Sequence, residues 1–258
     1  MASTVKSFLT KASIQLMDNN PQFKRWKQSE MLGWTNDGQL AIGKYMPWTI
    51  ARIDAIKLKT GTRQSIDTIA AADVVTGDGS TARTMRGLLL QSIDMNMGSD
   101  GLTPGRAIRI VDKDTLDAGN PNWHLPRNAD IEVSEYAYDP RLPKTFWVYP
   151  GVAVDNDVYV LANMLIEPIA LDTAVDHTSG AGASILLSID ATDEDELLNY
   201  VLARAYLKDA ESESDANLIA IHSKLFTDSI NARVKARTGV NPNLKSLPLN
   251  PAMPATSS

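Results

Sequence analysis

The chain has 258 residues, a formal net charge of −6 and an isoelectric point near 5.1, with 43% hydrophobic and 22% charged residues. That is enough for one large or two small globular domains, and too acidic to wrap nucleic acid through bulk charge. The absence of cysteine excludes disulfides, thiolate catalysis and Cys-type zinc sites. No apolar run approaches the ~20 residues needed to cross a bilayer, so no membrane is expected as a partner. Lysines interrupt the N-terminal apolar residues, unlike a signal peptide.

In chain order, Val5, Phe8, Leu9, Ala12 and Leu16 recur at spacings of three and four and predict a helix over 5–18, stopped by Asp18-Asn19-Asn20-Pro21. Residues 28–46 predict a second helix, with Ser29 as cap and Met31, Trp34, Gly38, Ile42 and Tyr45 on one face. Glycines at 33, 38 and 43 each cost roughly 1 kcal/mol against Ala there, which points to close helix–helix approach. Beyond Pro47 the period changes. "TIARIDAIKLKTGTRQSI" predicts two strands of a hairpin turning at Thr60-Gly61-Thr62. "LLLQSIDMNM" and "GRAIRIV" predict strands either side of "MGSDGLTP", and "DKDTLDAGN" a short Asp-capped helix. "DIEVSEYAYD", "KTFWVYP" and "NDVYVLANMLIEP" predict three more strands. Residues 171–190 predict a loop and a last strand.

Helices then return. The first begins at a Thr192/Asp193 cap and turns Leu197, Val201 and Ala205 inward beside Leu198, Leu202 and Tyr206. The second carries a stripe of Leu218, Ile219, His222, Phe226, Ile230 and Val234. So short a connection predicts an antiparallel helical hairpin. Prolines keep the last residues from continuing it. The expected fold class is α+β: a helical bundle built from N- and C-terminal helices (1–47 and 191–237), an inserted β-rich middle domain (48–190) and an extended Pro-rich tail (238–258).

The chemistry is sparse. Gly98, Gly101 and Gly105 precede a strand rather than a helix, so they match neither the GxGxxG nor the GxxxxGK[ST] phosphate loop and predict a turn. The acidic run "DATDEDE" (190–196) lacks the register of a calcium loop and is expected to serve a helix N-terminus. His124, His177 and His222 stand far apart, without metal-site spacing. No catalytic, cofactor-binding or metal-binding residue is expected, and no cofactor. A pair of carboxylates suited to glycoside hydrolysis would be recognisable only in three dimensions. Charge is uneven: residues 1–63 hold ten Lys/Arg against four acids, and residues 190–215 nine acids against two bases. Such segments suit packing against each other or a head-to-tail contact between subunits.

Four runs carry a resemblance: "FKRWKQSEMLGWTNDGQLAI" (23–42), "MNMGSDGLTPGRAIRIVDKDTLDAGNPNWH" (95–124), "VSEYAYDPRLPKTFWVYP" (133–150) and "LLNYVLARAYLKDAE" (197–211). In this order they resemble the head-to-tail adaptor (connector) proteins of tailed bacteriophages, mainly podovirus-type. Residues 69–86 and 171–188 depart from that family's pattern. The resemblance implies a structural virion protein at the head–tail junction, made in the host bacterial cytoplasm. It implies a dodecameric ring of this chain as its own partner, with the portal protein on one side and the tail tube or nozzle protein on the other. Genomic DNA would pass through the channel without specific binding. In that setting the tail suits docking on a neighbour, with Leu244, Leu247, Leu249 and Met253 filling shallow pockets at a protein interface. The alternatives are a virion-associated peptidoglycan or glycan hydrolase and a glycan-binding tail module built on the β-rich middle.

Overall fold

The structure, a computed structural model, describes residues 3–18, 25–76, 83–208 and 213–239. The chain divides into two compact units, one drawn from residues 1–46 and 171–258, the other from 47–170.

The unit of residues 47–170 is built on two sheets. One has the strand order β3-β1-β9-β4-β5, with β1 Ala51–Lys57, β3 Val74–Val75, β4 Gly87–Met97, β5 Pro104–Ala107 and β9 Tyr159–Ile166. The other has the order β2-β8-β7-β6, with β2 Gly61–Ser65, β6 Arg109–Val111, β7 Glu135–Tyr138 and β8 Thr145–Val152. Pairing is antiparallel except between β6 and β7. Both sheets feed one apolar cluster, with Ile56, Val160, Ala162 and Met164 from the first and Tyr136, Phe146 and Val148 from the second. The opposite face of the second sheet is covered by the short helix α3, Lys113–Gly119. Its Leu116 packs with Trp123 and Ala137 beside Trp147 and Tyr149. Strand β8 therefore alternates, one set of side chains facing the shared core and the other facing α3.

Two features of this unit differ from the sequence expectation. The predicted 60–62 hairpin is a corner instead: β1 pairs with β3 and β9, while β2 pairs with β8 in the other sheet. Gln64 holds the corner, accepting from Lys59 N at 2.8 Å and donating to the carbonyls of Lys59 at 2.6 Å and Gly61 at 3.0 Å. Leu58 and Ile66 on either side are buried in the shared core, so the chain gains more by crossing to the second sheet than by folding back beside β1. In β4 the buried residues are Gly87, Leu90, Ile93 and Asn96, a period of three rather than two. Register shifts along its pairing with β9, between Gly87 and Leu89, Leu90 and Ser92, and Ile93 and Met95, account for this. Each irregularity adds a residue to one strand and re-aims the next side chain.

The other unit holds α1 Val5–Gln15, α2 Gln28–Tyr45, α4 Glu194–Lys208 and α5 Glu213–Gly239. The N- and C-terminal helices do not share a bundle as expected. The main helix–helix contacts radiate from α4, which packs against α5, α2 and α1. Helix α1 lies against the 3-10 turn Gly180–Ser184 and the extended residues after it: Val5 N donates to Ile185 O at 2.8 Å and Leu187 N to Ser3 O at 3.0 Å. Amphipathic stripes report that a face is covered, not by what. Here the cover for α1 comes partly from residues 180–189, where Leu187 and Ile189 are buried. No last strand forms among residues 171–190; apart from the isolated bridge between Leu186 and Thr4, this stretch is turns and 3-10 helix.

Polar side chains of α2 fasten that stretch. Asn36 donates to Leu171 O and accepts from Leu171 N, at 3.0 and 2.8 Å. The fully buried Gln39 accepts from Ser188 N at 2.8 Å. The buried face of α2 is therefore Met31, Leu32, Thr35, Gly38, Gln39, Ile42 and Gly43, and Tyr45 is exposed. Its N-cap is Lys27 without a side-chain bond, not Ser29. Gly38 supplies the expected close approach: a Cβ there would lie 2.5 Å from Leu197 Cδ1 and 2.9 Å from Tyr200 Cδ1 of α4.

Candidate interaction surface

The glycine-rich stretch resolves into the turn joining β4 to β5. Gly98 N donates to Thr103 O at 2.7 Å, and Gly101 has φ +68°. A Cβ on Gly101 would sit 2.7 Å from Val75, so conformation and space both require glycine. Asp100 ties the turn from within. Its carboxylate accepts from Leu102 N, Thr103 N and the Thr103 hydroxyl, at 2.9, 3.0 and 2.9 Å. Those bonds, first the one from the Leu102 N–H, hold its pKa below the usual carboxylate value. Its acceptors are spent on its own backbone.

The acidic run opens α4, with Glu194, Asp195 and Glu196 in the first turn, where unpaired N–H groups favour them. Tertiary structure adds what the pattern did not show. Asp193, Glu194 and Glu196 are buried. Glu194 accepts from Lys11 Nζ at 2.6 Å and from the Ser3 hydroxyl at 2.5 Å. Glu196 accepts from Arg233 Nε at 2.6 Å and the Ser229 hydroxyl at 2.5 Å, while Arg233 Nη1 lies 2.8 Å from Asp193 and its Nη2 donates to Thr192 O. Burial pushes the Asp193 pKa up, and the Arg233 guanidinium opposes that shift. This is the main convergence of carboxylates in the unit, and its members are engaged as a clasp holding α1 and α5 to the start of α4. Lys11 and Glu194 join the basic N-terminal segment to the acidic run; a second link, Lys208 to Glu30 at 2.5 Å, runs in the opposite sense.

The three histidines stay apart. His177 is buried, its Nε2 3.0 Å from Asp172 O. His124 meets Trp123 edge-on. His222 stacks on Tyr206 and bonds Asn199 through Nδ1 at 2.9 Å, and burial lowers its pKa. Among the described residues no group of three or more His, Asp or Glu is placed to hold a metal ion, and no helix is long and apolar enough to cross a membrane. Leu244, Leu247, Leu249 and Met253 lie outside the described residues, as does most of "TGDGST" at 76–81.

The α4–α5 hairpin carries the surface that the sequence reading missed. Antiparallel pairing, seen in the contacts of Glu196 with Ser229 and Tyr200 with Phe226, follows the expected stripe, yet of that stripe only Ile230 is buried, the others being partly exposed. Alongside the seam runs an open groove of about 260 Å³, lined by Tyr200, Arg204 and Leu207 of α4 and Ile219 and Phe226 of α5. Tyr200 and Phe226 form a tilted aromatic pair with centroids 5.4 Å apart. The Arg204 guanidinium lies 5.2 Å from the Tyr200 ring and donates to its hydroxyl at 3.1 Å. Leu207 is 53% exposed at the groove's end. Tyr200, Arg204 and Leu207 recur at helical spacing beside the α5-facing stripe. That second, weaker stripe was the available signal.

A family model described as SU10 adaptor protein matches residues 3–246. The chain belongs to the SU10 adaptor protein family. The match spans both compact units and agrees with the resemblance to phage head-to-tail adaptors carried by the four sequence runs. No curated protein matches the chain. It is therefore a phage structural adaptor, a class of virion protein that works through contacts with other virion components, and the groove and exposed apolar residues of the α4–α5 hairpin are surfaces of the kind that such contacts use.

Proposed function

We propose that copies of this chain form a homo-oligomeric ring, a dodecamer, at the head–tail junction, joining the portal protein to the tail tube or nozzle protein and continuing the DNA channel. The observation that carries this reading is membership of the adaptor family across nearly the whole chain. Physical chemistry supports it. A closed ring needs heterologous interfaces, two different surfaces on each subunit, and a chain with separate basic and acidic segments and an open apolar groove has surfaces of more than one kind. With a net charge of −6, such a ring would let duplex DNA pass without the counterion release that makes basic grooves hold phosphate. The tail, through Leu244, Leu247, Leu249 and Met253, would dock on a neighbouring subunit of the assembly.

The test is assembly in the presence and absence of the chain. Purified chain and portal should form a joint complex. Particles lacking the chain should package DNA yet fail to retain it or gain tails. Infectious, tailed particles formed without it would overturn the proposal.

A further inference from the structure

We infer that the α4–α5 groove receives the Pro-rich segment 240–258 of a neighbouring copy, bound as a polyproline II strand, an inference that rests on the homo-oligomeric reading above. The sequence of that segment has a period of its own. Pro242, Pro248, Pro251 and Pro254 are separated by multiples of three, and so are Leu244, Leu247 and Met253. A polyproline II helix has three residues per turn, so in that conformation the prolines form one column and Leu244, Leu247 and Met253 the column beside it, with Leu249 on the third face. A chain already restricted by proline loses little entropy on ordering, and aromatic-lined grooves are the usual receptors for such strands.

The groove fits this ligand in three respects. One end is aromatic, the Tyr200–Phe226 pair, and Ile219 and Leu207 make the other end apolar. Its length matches: Tyr200 to Leu207, and Ile219 to Phe226, each span seven residues of helix, roughly 10 Å at 1.5 Å per residue. One polyproline II turn is about 9 Å, so two successive members of the apolar column, such as Leu244 and Leu247, fall at its two ends. Its polar group is also of the right sort. A polyproline II backbone makes no internal hydrogen bonds and this one is short of N–H groups at its prolines, so it offers carbonyls; Arg204 at the rim brings donors.

Reach favours a neighbour's segment over the chain's own. Helix α5 runs away from the groove towards Gly239. The return from Gly239 to the level of Thr227–Ile219 is roughly 18–30 Å at 1.5 Å per residue. At about 3.3 Å per extended residue that uses some six to nine residues as spacer, which takes Leu244 out of play at the near end of the groove and Leu247 as well at the far end. A neighbouring copy imposes no such return.

The native chain has no cysteine, which makes a direct test possible. A full-length chain carrying Ser223→Cys, on the groove wall, is mixed with a full-length, mass-tagged chain carrying Ser246→Cys, and the assembled mixture is mildly oxidised. The expected result is a disulfide-linked heterodimer as the main oxidised product. Its yield should fall about tenfold when Ile219→Asp puts a carboxylate into the groove. It should fall similarly with Leu247→Asp on the segment-donating chain, which leaves every groove residue unchanged. No heterodimer, or a yield that neither substitution alters, overturns the inference. So does a chain carrying both cysteines that closes on itself instead of linking to another. Native mass and portal co-assembly are measured on the same samples. A ring that binds portal without the 223–246 bond sinks this inference and leaves the adaptor reading standing; the bond without any portal complex does the reverse.

Discussion

The two units are held together by different means. The β unit rests on an apolar cluster shared by two sheets, and its buried polar links include Gln64 at the β1–β2 corner and Asn96, which accepts from Val133 N and donates to Val133 O and Arg106 O at 2.9, 2.7 and 3.1 Å. The helical unit is fastened by polar clasps: Lys11, Glu194, Asp193, Glu196 and Arg233 around the start of α4, and Asn36 and Gln39 on α2. It also leaves apolar side chains in the open, among them Leu207, Ile221 and Leu225. A sandwich closes its own core. A helix hairpin covered on one side buries its seam and leaves flanks exposed, and here buried ion pairs add to the apolar contacts of the helices. Both units leave some large apolar side chains exposed, so the contrast is one of fastening: a core shared by two sheets in the β unit, buried ion pairs at the start of α4 in the helical one.

The largest expected effect would break the apolar half of this comparison. Phe146→Ala removes a fully buried ring from the sandwich and should cost about 3–5 kcal/mol, read as a fall in the denaturation midpoint with lost exchange protection in β7, β8 and β9. A cost below about 1 kcal/mol would mean that the shared core is not what holds this unit.

Next comes the clasp. Arg233→Met leaves Asp193 and Glu196 buried without their guanidinium and should cost about 2–3 kcal/mol, somewhat less than a fully buried pair because Arg233 itself is partly exposed. The loss should appear as faster exchange along α5. The same clasp has a pH signature. The folded-state pKa of Asp193 is raised, so the folded form holds that proton more tightly. Its contribution to stability is full below the ordinary value of 3.8 and is lost as pH rises through the raised value. Asp193→Asn should remove that part of the pH dependence, which a melting series across mildly acid pH would show.

Asn96→Ala should cost about 1–3 kcal/mol by stranding buried backbone groups of Val133. A cost above about 3 kcal/mol, larger than that of Arg233→Met, would blur the contrast, since the β unit would then depend at least as much on a polar tie. Smaller still is a pair of glycine substitutions in α2. Gly33 has open space around it, and Gly33→Ala should stabilise by about 0.5–1 kcal/mol through helix propensity. Gly38→Ala should show no such gain, because its Cβ presses on Leu197 and Tyr200. Smallest is Glu30→Gln. The pair with Lys208 is exposed, so less than about 0.5 kcal/mol should be lost. Lys208 holds the Glu30 pKa down, so even this small term is present above 4.5 and fades as pH falls below it.

Much of the local structure was legible in the sequence. The faces of α1, α4 and α5, the Asp112 cap of α3 and the turn at Gly101 all follow from contacts within a few residues, which spacing and backbone preference report directly. The surface at Tyr200, Arg204 and Leu207 was legible only as a weak second stripe. The four tail residues proposed for docking were picked out by their apolar character amid prolines, and the three-residue period of those prolines is likewise a property of sequence alone.

What stayed hidden was partnership between distant residues. Nothing near Thr60-Gly61-Thr62 announces that β2 belongs to a different sheet from β1, because that depends on where Leu58 and Ile66 find a core. Bulges in β4 spoil its period of two only once β9 is beside it. The acidic run read as a helix start is also a buried ion cluster, because Lys11 lies 183 and Arg233 37 residues from their carboxylates. By itself the sequence determined where most of the helices and strands lie, the apolar faces of several of them, and, through its ordered motifs, the adaptor family. Tertiary structure decided that the helices gather on α4 rather than in a bundle, which sheet each strand joins and which groove remains open. The physical reason is that periodicity records whether a side chain avoids water, whereas its partner is chosen by close packing and charge pairing among segments that meet only in the folded chain.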